Sequence, residues 1–254
     1  MKIFMPDTNL WVHIGKDAHL TEKFDKAIAA GGKFLIAPPA LIEVVRGMVR
    51  YGKDKFSEDR KTFEWMRDQK CEILDLTKPF MAAILRTTLP TKSGVVPEHY
   101  TQLINMVVES ASFDEFVHRG NADGSVWKNI ESLDQIHEAQ IEHELRALED
   151  LAKQHKSLDI PQRLSQMFGA PGCRPNPLVV SRQFSAAIEY LETSVRKVAG
   201  GAKPRKNDRG LYVDWQLLMY LADPKISFLS SEDFSGEISV SAQKNRIVKP
   251  EALA

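Results

Sequence analysis

Five carboxylates in this chain of 254 residues stand where acid chemistry could be done. Asp7 closes the short apolar run Lys2 to Met5, just after Pro6. Glu43 lies about one helical turn beyond a second apolar run, Phe34-Leu35-Ile36-Ala37, amid Leu41, Ile42, Val44 and Val45. Asp214 opens the segment Asp214-Trp215-Gln216-Leu217-Leu218-Met219-Tyr220-Leu221, and Glu232 and Asp233 follow the run Ile226 to Ser230. Taken singly, each acid has a plainer use. Asp7 would cap a turn or helix with Thr8 and Asn9, Glu43 would be an exposed helical glutamate, and Asp214 would be an N-cap. Taken together they repel. Three or four unpaired carboxylates in one crevice are normally reconciled by a hard cation that takes oxygen ligands, Mg²⁺ or Mn²⁺.

The elements around these acids decide whether they meet. In an open parallel sheet, chemistry collects beyond the C-terminal ends of the strands. Strands are predicted at Lys2–Met5, Phe34–Ala37, Cys71–Leu76 and Ile226–Ser230, each a short apolar run bounded by Pro, Gly or charged residues. Pro38-Pro39 opens a helix carrying Leu41, Ile42, Val44, Val45 and Met48, and further helices are expected through Glu58–Arg67 and up to Leu85. Alternating strands and helices imply an α/β fold with a short parallel sheet flanked by helices. From about Thr87 to Arg196 the pattern is helical throughout. Leu133, Ile136, Ile141, Leu145, Leu148 and Leu151 form one apolar stripe, and Phe184, Ala187, Ile188, Leu191, Val195 and Val198 form another. The sequence therefore divides into an α/β domain, residues 1–86 and 197–254, and an α-helical insertion, residues 87–196.

Composition narrows the classes. The chain is 43% hydrophobic and 27% charged, which excludes disordered and collagen-like classes. Lys plus Arg and Asp plus Glu both count 34, so no global basic field advertises a nucleic-acid partner and any basic patch must be local. Cys71 and Cys173 lack metal-ligand spacing and are expected to pack, in a reducing compartment. No run approaches the roughly 18 apolar residues of a membrane span, and the opening MKIFMPD lacks a signal peptide, so a cytoplasmic protein without membrane contact is expected. Trp11, Trp65, Trp127 and Trp215 have apolar neighbours and read as core. The pair His137-Glu138 fails the metalloprotease spacing because residue 141 is Ile, and no glycine-rich phosphate loop occurs.

The order strand, Asp7-Thr8-Asn9; strand, Pro38-Pro39-Ala40-Leu41-Ile42-Glu43; helix from Asp214; then Phe228-Leu229-Ser230-Ser231-Glu232-Asp233-Phe234 resembles a PIN-domain ribonuclease over about residues 1–86 and 205–240. The resemblance implies that Asp7, Glu43 and Asp214 are the first three acids of the site. Both Ser230-x-Glu232 and Ser231-x-Asp233 satisfy the spacing of the fourth, with Asp233 favoured. It also implies Asn9, Ser230 and Ser231 as supporting polar partners and Mg²⁺ or Mn²⁺ held by Asp7, Glu43, Asp214, Asp233 and Glu232. The implied activity is endonucleolytic hydrolysis of RNA phosphodiester bonds, with 5′-phosphate and 3′-hydroxyl products. The basic loop with Lys203, Arg205, Lys206 and Arg209 would hold RNA phosphates near Asp214, and Lys244, Arg246 and Lys249 would extend the patch. The competing expectation is a catalytically inactive PIN-like module that binds RNA or protein. A protein partner or antitoxin, or a second copy in a homodimer, would then sit on the helical insertion.

Overall fold

Runs of four apolar residues are too short for helices and too continuous for one-sided strands, so they bury both faces in a parallel sheet. The computed structural model of the chain, which describes residues 2–87, 96–168, 174–202 and 211–253, forms that sheet from β1 (Ile3–Pro6), β2 (Lys33–Ile36), β3 (Glu72–Ile73), β4 (Ile226–Leu229) and β5 (Ile247–Val248). All neighbours are parallel in the order β3-β2-β1-β4-β5. Ile3 faces Lys33 on one side and Ile226 on the other, and Pro6 faces Leu229. The central strand thus comes from the start of the chain and its neighbour β4 from near the end. The expected third strand is shorter than Cys71–Leu76, and β5 is an edge strand that sequence patterning did not reveal.

Helices surround the sheet. The first part of the chain contributes α1 (Thr8–His13), α2 (Ala18–Ala29), α3 (Pro38–Tyr51), α4 (Phe56–Asp68) and α5 (Thr77–Ile84). Gly15, at φ +77°, makes the return between α1 and α2, where a Cβ would meet the Lys61 backbone at 2.8 Å. Pro38 and Pro39 occupy the first positions of α3, where their missing N–H groups leave no intrahelical bond unmade. The middle of the chain is helical among the described residues: α6 (Pro97–Glu109), α7 (Phe113–Ala122), α8 (Leu133–Lys153), α9 (Ile160–Met167), α10 (Pro177–Gln183) and α11 (Ser185–Ala199). The final helix is α12 (Leu211–Met219).

The helical segment shares the core of the α/β part. One buried cluster runs from Phe4, Met5, Phe34 and Phe228 through Phe63 and Phe116 to Phe184 and Ile188. Phe56 of α4 packs on Phe113 and Phe116 of α7 with ring centroids 6.1 and 6.0 Å apart. Each such ring removed from water stabilises the fold by about 1.5–3 kcal/mol. A small separate cluster joins Leu148 and Ala152 of α8 to Val195 of α11. Ile136, expected on the buried stripe of α8, is instead 53% exposed, because the start of α8 is held to α3 by charge. Arg46 of α3 donates to Asp134 Oδ1 and Glu138 Oε1, both at 2.9 Å, and Arg50 joins the same two carboxylates.

Trp11, Trp65 and Trp127 are buried and Trp215 is half-buried. Phe24 stacks on Phe34 at 4.5 Å with Trp65 edge-on to both. Cys71 packs against the core, and burial pushes its thiol up to about 12, while Cys173 lies outside the described residues. Among the described residues no helix is long and apolar enough to cross a membrane.

Candidate active site

The acids gather where the strand order predicts, beyond the C-terminal ends of β1, β2 and β4. Asp7 follows β1 directly, and its backbone N–H extends the ladder to Leu229 O at 2.8 Å. Asp7 is also the N-cap of α1: Oδ1 accepts from Leu10 N at 2.8 Å, so the plainer use of this residue is real. That leaves Oδ2, which accepts from the Ser230 hydroxyl at the end of β4. Asp7 is only 4% exposed, and burial raises its carboxyl above the ordinary range despite both hydrogen bonds, with the Glu232 charge adding to the rise.

Glu43 sits on α3, half-buried, and its Oε2 accepts from Thr8 Oγ1 at 2.6 Å. Desolvation raises its carboxyl. The Thr8 hydrogen bond and the Arg46 charge oppose that rise, and the Asp7 and Glu232 charges add to it. Asp214 lies in the first turn of α12 and accepts at Oδ2 from the Tyr190 hydroxyl at 3.1 Å. The residue is half-buried as a whole, yet desolvation lifts its carboxyl well above the ordinary value, assisted by the charges of Glu232, Glu43 and Asp7. Three elements thus deliver acids that feel one another's charge, and Glu232 is the fourth group coupled to all three.

Spacing leaves the fourth position to Glu232 or Asp233, and the two have different partners. Asp233, the favoured residue, turns away: its carboxylate accepts from Ser235 N at 2.9 Å and Ser235 Oγ at 3.0 Å. Those bonds, with the charges of Lys249 and Lys244, hold it below the usual carboxylate range. Glu232 is exposed, with Oε1 accepting from Asn9 Nδ2 at 2.8 Å and its backbone N–H bound to Ser230 Oγ at 3.0 Å. Of the two candidates, it is the Glu232 charge that acts on Asp7, Glu43 and Asp214. Ser230 is buried and bridges Asp7 to the Glu232 backbone, whereas the Ser231 side chain is exposed.

Two contacts escaped sequence reading. Tyr190 brings a hydroxyl from α11, in the helical segment, onto Asp214. A tyrosine beside the apolar stripe of α11 was the available signal, since a buried phenol seeks a partner. Lys249 donates to the carbonyls of Ser231 at 2.8 Å and Glu232 at 2.6 Å, fixing the turn that carries the fourth acid. Arg246 likewise holds backbone carbonyls, those of Leu221, Asp223 and Ile226. Lys203, Arg205, Lys206 and Arg209 lie outside the described residues.

The donor set is uniformly carboxylate oxygen, the chemistry of a hard divalent cation. Among the described residues, however, no three Asp, Glu, His or Cys side chains stand close enough to hold a metal ion between them. A hard divalent cation would find here one or two carboxylates to bind it, not a closed cage. No protein-family model matches the chain, and neither a curated protein nor a solved structure matches it.

Proposed function

We propose that the chain is a cytoplasmic, Mg²⁺- or Mn²⁺-dependent endoribonuclease whose site is formed by Asp7, Glu43, Asp214 and Glu232. The observation carrying this reading is geometric: the hydrogen-bonded carboxylates of Asp7, Glu43 and Asp214 lie beyond one end of a parallel sheet, where burial and neighbouring acids raise all three, at a cost to their charged forms. Folding alone does not call for that cost, since neutral side chains would relieve it; a bound cation offsets it. When bound, the cation would lower the pKa of a water and neutralise charge developing on the scissile phosphate. The chain's own part is orientation. Ser230 and the Leu10 N–H fix the Asp7 carboxylate, Thr8 fixes Glu43, Tyr190 fixes Asp214 and Asn9 fixes Glu232.

The test is cleavage of a single-stranded RNA in Mn²⁺ by the full chain and by Asp7→Asn, with thermal unfolding of both. Metal-dependent cleavage that Asp7→Asn abolishes, with the fold retained, supports the enzyme. Equal activity of the two proteins, or none from the wild type, defeats it. A second reading, an inactive PIN-like binding module, draws support from the lack of three metal-spaced ligands among the described residues. On that reading a protein partner, an antitoxin or a second copy would use apolar side chains exposed on the helical segment, Leu178, Val179 and Met167. Light scattering that shows a monomer would remove the homodimer.

A further inference from the structure

Beside the acids, a groove of about 440 Å³ runs between α1, α2 and the C-terminal turn at Pro250. It shares Asn9 and Ser231 with the acidic site, and Asn9 is the residue whose amide holds Glu232. A polymer lying across the carboxylates therefore meets this groove next. Its floor is apolar, made by Leu10, Leu20 and Pro250, all buried. Its wall carries a different chemistry from the acids: His13 at the end of α1, then His19 and Lys23, one helical turn apart on α2. Two carboxylates also line it. Asp17 is occupied by the first turn of α2, accepting from His19 N at 2.9 Å and Leu20 N at 3.1 Å, and Glu251 is exposed at the rim.

We propose that this groove is the subsite for the nucleotide adjoining the scissile phosphate of single-stranded RNA, with Lys23, His19 and His13 on its phosphate and the apolar floor under its sugar and base. The assignment rests on the nuclease reading for what happens next door, but the binding step is separable from cleavage. The volume suits a small organic ligand unit, and a few placed polar groups over an apolar floor are what such sites use to orient one. An ammonium and two imidazoles can donate to phosphate oxygens, and hydrogen bonds to charged groups of this kind are the stronger ones.

The experiment is fluorescence anisotropy of a labelled single-stranded RNA pentanucleotide in EDTA, where cleavage is stopped, with the full chain and a His19→Ala/Lys23→Ala variant. Lys26→Ala is the control, since Lys26 is exposed and paired with Glu22 away from the groove. The proposal expects the double variant to bind about tenfold more weakly, with Lys26→Ala unchanged and thermal unfolding unaltered for both. Equal affinity of the double variant and the wild type overturns it, as does a wild type that binds no RNA. Cleavage in Mn²⁺, measured on the same proteins, separates the two failures. A wild type that cuts RNA while the double variant binds normally defeats the groove alone. A wild type that binds through the groove without cutting defeats the nuclease alone.

Discussion

The Tyr190 hydroxyl donates to Asp214 Oδ2 at 3.1 Å, so a residue of the helical segment reaches into the acid set of the α/β part. Burial raises the Tyr190 phenol, and the neighbouring Asp214 charge adds to that rise, so the hydroxyl stays protonated and remains a donor. The helical segment is thus part of the site's construction.

Tyr190→Phe removes that donor while keeping the ring that packs on Phe234 at 5.8 Å. The hydrogen bond favours the ionised form of Asp214, so its loss lifts the Asp214 carboxyl further. We expect a stability loss of about 1 kcal/mol and an acid limb of the cleavage rate displaced to higher pH. A pH profile with an unmoved acid limb would show that Tyr190 serves packing only.

The raised carboxyls also make stability depend on pH with an unusual sign. For Asp214 the folded state holds its proton above the ordinary value of 3.8, at which the unfolded chain releases it. Between those two values the folded state binds more protons, so stability falls as pH rises through the window. Without divalent cation, Asp214→Asn is expected to melt higher than wild type near neutral pH, by about 2–4 °C for each kcal/mol relieved. Mn²⁺ should raise the melting temperature of the wild type more than that of the variant. A variant less stable than wild type at neutral pH, in the absence of metal, contradicts the electrostatic account.

Glu232 and Asp233 separate in one comparison. Glu232→Gln removes a charge that all three other acids feel, so it is expected to lower cleavage by about tenfold or more, on the scale of one lost electrostatic contact at a reaction centre. Asp233→Asn alters an exposed turn held by Ser235 and is expected to cut at close to the normal rate. The reverse ranking would return the fourth position to Asp233.

These residues show what a sequence can convey. β1, β2 and β4 were legible because each is a short apolar run stopped by Pro or a polar residue, and their order alone brings Asp7, Glu43 and Asp214 to one end of a sheet. β5 was not, because two residues in a polar context carry no periodicity and pair only where β4 already stands. Adjacent acids at equal spacing from two serines are indistinguishable on paper. What differs between them is partners elsewhere in the chain, Asn9 for Glu232 and Lys249 for the turn beneath it, 223 and 17 residues away. Tyr190 was hidden for the same reason: its use depends on where α11 crosses α12.

Arg46 links the two halves of the chain a second time, and its role divides into a stability part and an electrostatic part. It is 6% exposed and bonded to Asp134 and Glu138 of α8, while Arg50 makes the outer contacts to the same pair. Removing a buried partner leaves the others poorly compensated, so Arg46→Ala is expected to cost about 3 kcal/mol. Arg50→Ala, nearer solvent, should cost less than about 1 kcal/mol. Urea midpoints at constant slope would check both. Arg46 also favours the ionised form of Glu43, one turn earlier on α3. Arg46→Met keeps part of the packing and removes that charge, so the acid limb of cleavage should again move to higher pH. Asp134→Asn, which loosens the clamp but leaves Arg46 charged, should lower stability and leave the acid limb in place. If the two variants shift the pH profile alike, Arg46 acts on Glu43 through the position of α8, not through its charge.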